Sequence, residues 1–246
     1  QAERFGARIE NLDAIAADFS TKPFTLSTTE AEYRAETVIV ATGASARWLN
    51  IPGEAHLRGR GVSTCATCDG AFFRDKHIVV VGGGDSAMEE ALFLTRFGRK
   101  VTVIHRRSGL RASKIMAARA TSHEKIDFIW DTVVEEAIGE THLRALKLRN
   151  IVDGNEYEFP ADALFIAIGH DPNTEIFKGQ LTLDEAGYIV SPDGVSTNIE
   201  GVFVAGDVND LRYKQAITAA AAGCRAAMDA EKFLEAMEFA ITPTAV

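Results

Sequence analysis

His77-Ile78-Val79-Val80-Val81-Gly82-Gly83-Gly84-Asp85-Ser86-Ala87 decides the fold. The apolar, mostly β-branched residues before Gly82 read as a buried strand. From Asp85 to Phe97 the apolar residues Ala87, Ala91, Leu92, Leu94 and Phe97 recur at helical spacing, and Gly98 stands where a helix stop belongs. A second strand, Lys100 to His105, follows at once. Strand, glycine turn, helix and strand in that order form a βαβ unit, and the crossover makes the strands parallel. The turn fits G-x-G-x-x-A. Gly82 permits the tight turn, Gly84 lets backbone approach a pyrophosphate, and Ala87 keeps the helix close to the strand. Asp85 and Ser86 open the helix, whose amide donors and positive dipole end face the phosphates.

The end of the second strand selects the dinucleotide. An NAD site places a carboxylate there for the ribose 2′-hydroxyl. This chain has His105-Arg106-Arg107, with Arg111 soon after. Guanidinium groups pair bidentately with a 2′-phosphate that a carboxylate would repel, so NADP(H) is expected.

Working outward, residues 1–10 read as a helix end running into a short strand, and 23–29 with 31–36 as a hairpin. Thr37 to Ser45 is a buried strand ending in small residues. The pattern breaks near Pro52-Gly53. Strands are expected at 128–134 and 143–151, with a turn at Asp153-Gly154. Ala163 to Gly169 repeats the apolar strand ending in Gly, and a second boundary lies near Asp171-Pro172-Asn173. Gly201 to Asp207 is another strand of that kind, and Lys214 to Met237 is a helix rich in small residues.

The 246 residues are 46% apolar, enough for one large domain or two modest ones, and the net charge is -9. An acidic chain without a basic tail argues against nucleic acid or an anionic membrane surface as partner. The longest apolar runs are strand-sized, and none spans a bilayer. Three cysteines argue against a disulfide scaffold and for a cytoplasmic location, where a close pair is catalytic or metal-binding.

That pair is Cys65-Ala66-Thr67-Cys68, followed by Asp69-Gly70. Zinc, redox chemistry and inert packing are its three readings. Structural zinc needs four Cys or His ligands, and Cys224 in an Ala-rich helix is the remaining cysteine. A redox dithiol is favoured, and Asp69 beside it is either a turn residue or the carrier of the proton that accompanies electron transfer. A nicotinamide cofactor usually reduces a disulfide through a flavin. Two strand ends offer a flavin site: Thr42-Gly43-Ala44, and Gly206-Asp207-Val208 with the helix start near Gln215-Ala216-Ile217.

C-A-T-C-D-G, V-V-V-G-G-G-D-S-A, H-R-R-x-G-x-R-A, A-T-G-A-S and G-V-F-V-A-G-D-V followed by Q-A-I-T-A-A together resemble the low-molecular-weight thioredoxin reductases. The resemblance implies an α/β fold of two Rossmann-like dinucleotide-binding domains, each a three-layer β/β/α. The NADPH domain (47–177, carrying the dithiol) would be inserted into an FAD domain (1–46 and 178–246). It implies electron flow from NADPH through FAD to Cys65–Cys68 and on to thioredoxin, with Cys68 nearer the flavin, Cys65 exchanging with thioredoxin, and Asp69 as proton donor and acceptor. Gly82, Gly84, Asp85, Ser86 and Ala87 would meet the pyrophosphate, and His105, Arg106, Arg107 and Arg111 the 2′-phosphate. Thr42, Gly43, Ala44, Gly206, Asp207, Val208, Lys214, Gln215, Ala216 and Ile217 would meet FAD. No metal is expected. The family expectation is a homodimer, with joints near Ala46 to Pro52 and Asp171 to Glu175 about which one domain rotates. Phe72 and Phe73 could offer thioredoxin an apolar contact or pack in the core.

Two features depart from that pattern. The family opens with its own glycine-rich FAD turn, and nothing in residues 1–40 matches it, so the chain reads as lacking an N-terminal FAD-binding segment. Leu211-Arg212-Tyr213-Lys214-Gln215 stands where the family usually has Tyr-Arg-Gln. A non-catalytic NADPH-binding fragment and a disulfide reductase for a peroxiredoxin-type partner are the alternatives.

Overall fold

In the computed structural model, described over residues 1–241, five strands form a parallel sheet in the order Val62–Ser63, Ala163–Ile166, His77–Val81, Lys100–Ile104, Ile126–Ile129. Its residues alternate between two cores. Ile78, Val80, Val101, Val103 and Phe165 face the helical side, where they meet Ala87, Met88, Ala91 and Leu94 of the helix Asp85–Leu94. Val79, Ile104, Leu164 and Ile166 face the other way, onto an antiparallel sheet of Thr132–Ile138, Ala145–Asn150 and Glu156–Pro160. Both faces are covered, which is why these strands are apolar almost throughout. The layers are β, β and α.

These elements make one compact unit, Ala46–His170. The other unit contains Gln1–Ser45 and the chain from Asp171 on. It holds an antiparallel sheet of Ala14–Asp18, Phe24–Thr28 and Glu32–Ala35, and a parallel pair, Val38–Val40 with Val202–Val204. Val202 and Val204 pack with Phe19, Phe24 and Phe177 on one side. Phe203 packs on the other side against Ala222, Ala226 and Ala230 of the helix Ala216–Ile241. No described helix is long and apolar enough to cross a membrane.

Three local expectations are corrected. Residues 1–10 hold a 3-10 turn, Ala2–Phe5, and no strand begins before Ala14. The run 128–134 is two strands in two different sheets, because Asp131 takes a left-handed conformation (φ 49°) and turns the chain between them. Residues 171–177 belong to the unit that contains Gln1–Ser45. Phe177 stacks on Phe19 at 6.0 Å, and Asn173 exchanges hydrogen bonds with Thr42: Thr42 Oγ1 donates to the Asn173 carbonyl (2.7 Å), and Asn173 Nδ2 donates to the Thr42 carbonyl (2.8 Å).

Candidate active site

Cys65 and Cys68 are joined by a disulfide across the four-residue helix Ala66–Asp69. Cys65 caps that helix, its Sγ accepting from the Cys68 amide at 3.2 Å while its carbonyl accepts from the Asp69 amide at 3.1 Å. Ser63, 7% exposed, organises the turn. Its Oγ accepts from the Cys65 amide (3.0 Å) and donates to Asp69 Oδ2 (2.6 Å). One hydroxyl therefore fixes the carboxyl and the first cysteine together. Cys65 is half-buried and Cys68 exposed. The segment is seated by Ala66 in the helical-side core and by Gly70, where a Cβ would meet Leu94 Cδ2 at 2.9 Å. Leu94 belongs to the helix that follows the glycine turn, so the disulfide and that turn share one support. Phe72 and Phe73 divide: Phe72 is 80% exposed, while Phe73 meets Phe165 edge-on at 5.8 Å inside the core.

The glycine turn borders a cleft of about 600 Å³. Gly82 has φ 155°, and a Cβ there would stand 2.4 Å from the Ala167 carbonyl oxygen and 2.6 Å from Ala87 Cβ, so sheet, turn and helix interlock at this position. Around Gly84 nothing lies within 4 Å of where a Cβ would be, leaving its face open to a ligand. Gly83 is held for a different reason: the His105 ring lies where its Cβ would be, at 2.3 to 2.5 Å. The Gly83 carbonyl in turn accepts from the amides of Arg111 (2.7 Å) and Ala112 (3.0 Å). The turn thereby sets the position of the arginine loop.

Gly82, Gly84, Ser86, Ala87, His105, Arg106 and Arg111 all line the cleft. Arg107 and Asp85 do not. Asp85 Oδ1 accepts from the Ser113 amide at 2.8 Å, tying the end of the arginine loop to the helix start. Arg47, Leu49, Thr132, Val133, Val134, Ile168 and Gly169 also line it, and of these only Gly169 stood out in the sequence, as the end of an apolar strand. His105 is 6% exposed, and its Nε2 is buried without a hydrogen-bond partner. Burial lowers its pKa first, and the positive charges of Arg111, Arg107 and Arg106 lower it further. It is therefore a neutral wall, and the guanidinium groups carry the cleft's charge. Behind the turn, Glu90 on the same helix has a buried Oε2 with no partner. Burial, with a smaller contribution from Glu89, pushes its carboxyl up to about 8.

In the unit that contains Gln1–Ser45, Val204 leads into the turn Gly206–Val208, and Ala205 donates its amide to the Val40 carbonyl at 2.9 Å. Thr42, Gly43 and Ala44 end the neighbouring strand's loop, and the Asn173 amide donates to the Gly43 carbonyl at 3.0 Å. Asp207 Oδ1 is buried without a partner. Val208 is core, whereas Ile217, at the start of the long helix, is 78% exposed. Lys214 takes φ 47°; its ammonium lies 5.2 Å from the Tyr188 ring centroid and its amide donates to Asp210 Oδ2 at 2.9 Å. Gln215 Nε2 donates to the Tyr213 carbonyl at 3.2 Å, and Ala216 begins the helix.

A parallel three-layer unit with a glycine turn, a cationic strand end and an adjacent disulfide defines a dinucleotide-dependent disulfide oxidoreductase. The profile of the pyridine nucleotide-disulphide oxidoreductases matches residues 1–223. A thioredoxin reductase of Streptomyces coelicolor is 55% identical over 96% of this chain and 74% of its own length. One from Chlamydia trachomatis is 50% identical over 96% and 77%. Among solved structures, thioredoxin reductase from Streptococcus pyogenes aligns with a TM-score of 0.90 and 41% identity, covering 95% of this chain and 77% of that one. The chain belongs to the pyridine nucleotide-disulphide oxidoreductases, and within them to the thioredoxin reductases of the low-molecular-weight type.

Proposed function

We infer that the chain is an NADPH-dependent flavoprotein that reduces the disulfide of thioredoxin, and that the Cys65–Cys68 disulfide is its redox centre. The observation carrying this is that disulfide, seated on the helix that opens the nucleotide cleft. The residues fit both cofactors. For NADPH there is an open face at Gly84, a helix N-terminus for the pyrophosphate, and Arg106 and Arg111 on the wall for the 2′-phosphate. For FAD, the orphaned Asp207 Oδ1 is a buried acceptor suited to the hydroxyls of a ribityl chain. Gly43 and Gly206, both at positive φ, let backbone approach a flavin at the two strand ends.

In this reading unit Ala46–His170 holds NADPH and the other unit holds FAD through Thr42, Gly43, Ala44, Gly206, Asp207, Val208, Lys214, Gln215, Ala216 and Ile217. Bound there, FAD would supply the two-electron chemistry that links a nicotinamide to a disulfide. The chain's own residues supply the rest. Asp69, whose Oδ2 is held by Ser63, carries a proton beside the dithiol. Cys65 would exchange with thioredoxin, Cys68 would be the thiol that takes electrons from the flavin, and exposed Phe72 would meet the protein substrate. Arg107 adds charge outside the cleft, and Asp85 serves by holding the arginine loop. The reading extends to a cytoplasmic homodimer, on the family pattern and the low cysteine count. Mixing the FAD-supplemented protein with NADPH and oxidised thioredoxin tests it. NADPH oxidation matched one-to-one by reduced thioredoxin is expected, and oxidation that requires a peroxiredoxin-type disulfide instead would redirect the partner assignment.

A further inference from the structure

One buried hydroxyl lies beneath the dithiol turn. Ser63 closes the edge strand Val62–Ser63, where it pairs with Phe165 of the neighbouring parallel strand. Paired residues of a sheet point to the same face, so Ser63 points with Phe165 to the helical side, on which Ala66 seats the dithiol helix. The side chain is 7% exposed, and a hydroxyl so far from water costs stability unless it is hydrogen-bonded. Among the described residues both of its bonds go to the dithiol turn, to the Cys65 amide and to Asp69 Oδ2.

Proton counting gives the direction of each bond. A serine hydroxyl has one proton and two lone pairs. The Cys65 amide can only donate, so at 3.0 Å it occupies a lone pair of Ser63 Oγ. The hydroxyl proton is left for Asp69 Oδ2, and their 2.6 Å separation is that of a hydroxyl donating to a carboxylate oxygen. Oδ2 is therefore an acceptor already in use, and Oδ1 is the oxygen at which the carboxyl can take up a proton and hand it on. Rotating the carboxyl would exchange the two oxygens only by breaking the Ser63 bond and stranding a buried donor. The bonds run from the amide of Cys65 to the carboxyl beside Cys68, so one hydroxyl sets both ends of the dithiol turn.

We propose that Ser63 is the positioning residue for proton transfer at the dithiol, fixing Asp69 so that its Oδ1 exchanges the proton with Cys68. The proposal rests on the reading of Cys65–Cys68 as a dithiol that reduces thioredoxin. In that exchange the Cys65 thiolate attacks one thioredoxin sulfur, the thioredoxin disulfide breaks and a mixed disulfide forms. The sulfur released takes the proton that Cys65 gave up. Cys68 then passes its proton to Asp69 Oδ1 and attacks Cys65 Sγ. The Cys65–Cys68 bond closes, the mixed disulfide breaks, and the second thioredoxin sulfur leaves with the proton that Oδ1 returns. Two electrons and two protons pass from the chain to thioredoxin.

The test needs neither cofactor. The chain is reduced with dithiothreitol, freed of reagent and mixed with oxidised thioredoxin at a series of concentrations. Acid quenching and thiol alkylation then read the rate at which Cys65–Cys68 closes. Wild type, Ser63→Ala, Ser63→Thr, Asp69→Asn and the double variant Ser63→Ala with Asp69→Asn are compared. Ser63→Ala is expected to lower the maximum rate about tenfold or more at an unchanged half-saturating thioredoxin concentration. Ser63→Thr, which keeps the hydroxyl, recovers most of the rate. In the Asp69→Asn background Ser63→Ala costs nothing further, because Ser63 acts through that carboxyl. An unchanged rate in Ser63→Ala, an equal loss in the Asp69→Asn background, or a Ser63→Thr variant as slow as Ser63→Ala would overturn the assignment. Ala66 and Gly70 seat the dithiol helix independently of Ser63, so the variants keep the fold, and matching melting curves verify it. A reduced wild-type chain that leaves thioredoxin oxidised yet reduces oxidised glutathione would overturn the thioredoxin reading alone, and the Ser63 comparison is then decided on glutathione.

Discussion

The two glycine turns that end the inner strands, Gly82–Gly84 and Gly206–Val208, differ in how much of their surroundings the chain supplies. At Gly82 the backbone of one strand and the side chain of the following helix both stand within 2.6 Å of a would-be Cβ. At Gly206 the nearest atom is Ala219 Cβ at 3.6 Å. The first turn is a finished joint between strand, helix and arginine loop. The second is a looser platform, with a buried carboxylate oxygen lacking a partner and Ile217 exposed close by. A motif can be read where the chain completes its own contacts. Where contacts await a ligand, sequence pattern alone says little.

That contrast can be broken most forcefully at Gly82. Gly82→Ala forces a methyl into the Ala167 carbonyl, and we expect a loss of stability of about 3 kcal/mol, with NADPH binding abolished in parallel. Chemical denaturation and nucleotide titration check this. Arg106→Ala and Arg111→Ala are each expected to cut the NADPH over NADH preference by about tenfold or more, and Arg107→Ala less, since Arg107 is off the cleft wall. Equal effects from all three would mean that the loop repacks around its ligand.

The helices behind the two turns differ as well. Among the described residues of Ala216–Ile241 the buried side chains are Ala222, Ala226 and Ala230, whereas Asp85–Leu94 half-buries Glu90. The folded carboxyl titrates at about 8, above its unfolded value of 4.5, so the native state binds the extra proton between those limits. Stability from this group is complete below about pH 4.5 and is lost as pH rises through about 8. Glu90→Gln should therefore leave stability unchanged at pH 4 and raise it by up to about 5 kcal/mol at pH 9. A pH-independent effect would show that Glu90 is ionised or solvated in the folded chain. The smallest effect is expected at the looser turn. Gly206→Ala meets no clash and pays only for its positive φ of 80°, about 1 kcal/mol.

Much of the first unit to be recognised was legible because its signals are local. The β-branched strand, the three glycines, the helical spacing and the arginines after Ile104 fall within one short stretch. Cys65 and Cys68 announced themselves by spacing. What stayed hidden depends on partners remote in sequence. Arg47 finds the Gly169 carbonyl and Asn173 finds Thr42, contacts that only the folded chain brings together. Asp85 opens the helix in the sequence pattern, and its bond from the Ser113 amide, 28 residues on, is another contact made only by the fold. The run 128–134, apolar on both sides of Asp131-Thr132, concealed a change of sheet, because the left-handed turn at Asp131 is a property of the folded backbone.

The central claim is that electrons from NADPH reach Cys65–Cys68. It is tested most directly by adding NADPH anaerobically to the FAD-supplemented protein, alkylating it, and locating the modified thiols by mass spectrometry. Two new alkylated cysteines, Cys65 and Cys68, are predicted, with Cys224 modified equally with and without NADPH. A disulfide that survives while NADPH is bound and oxidised would contradict the account.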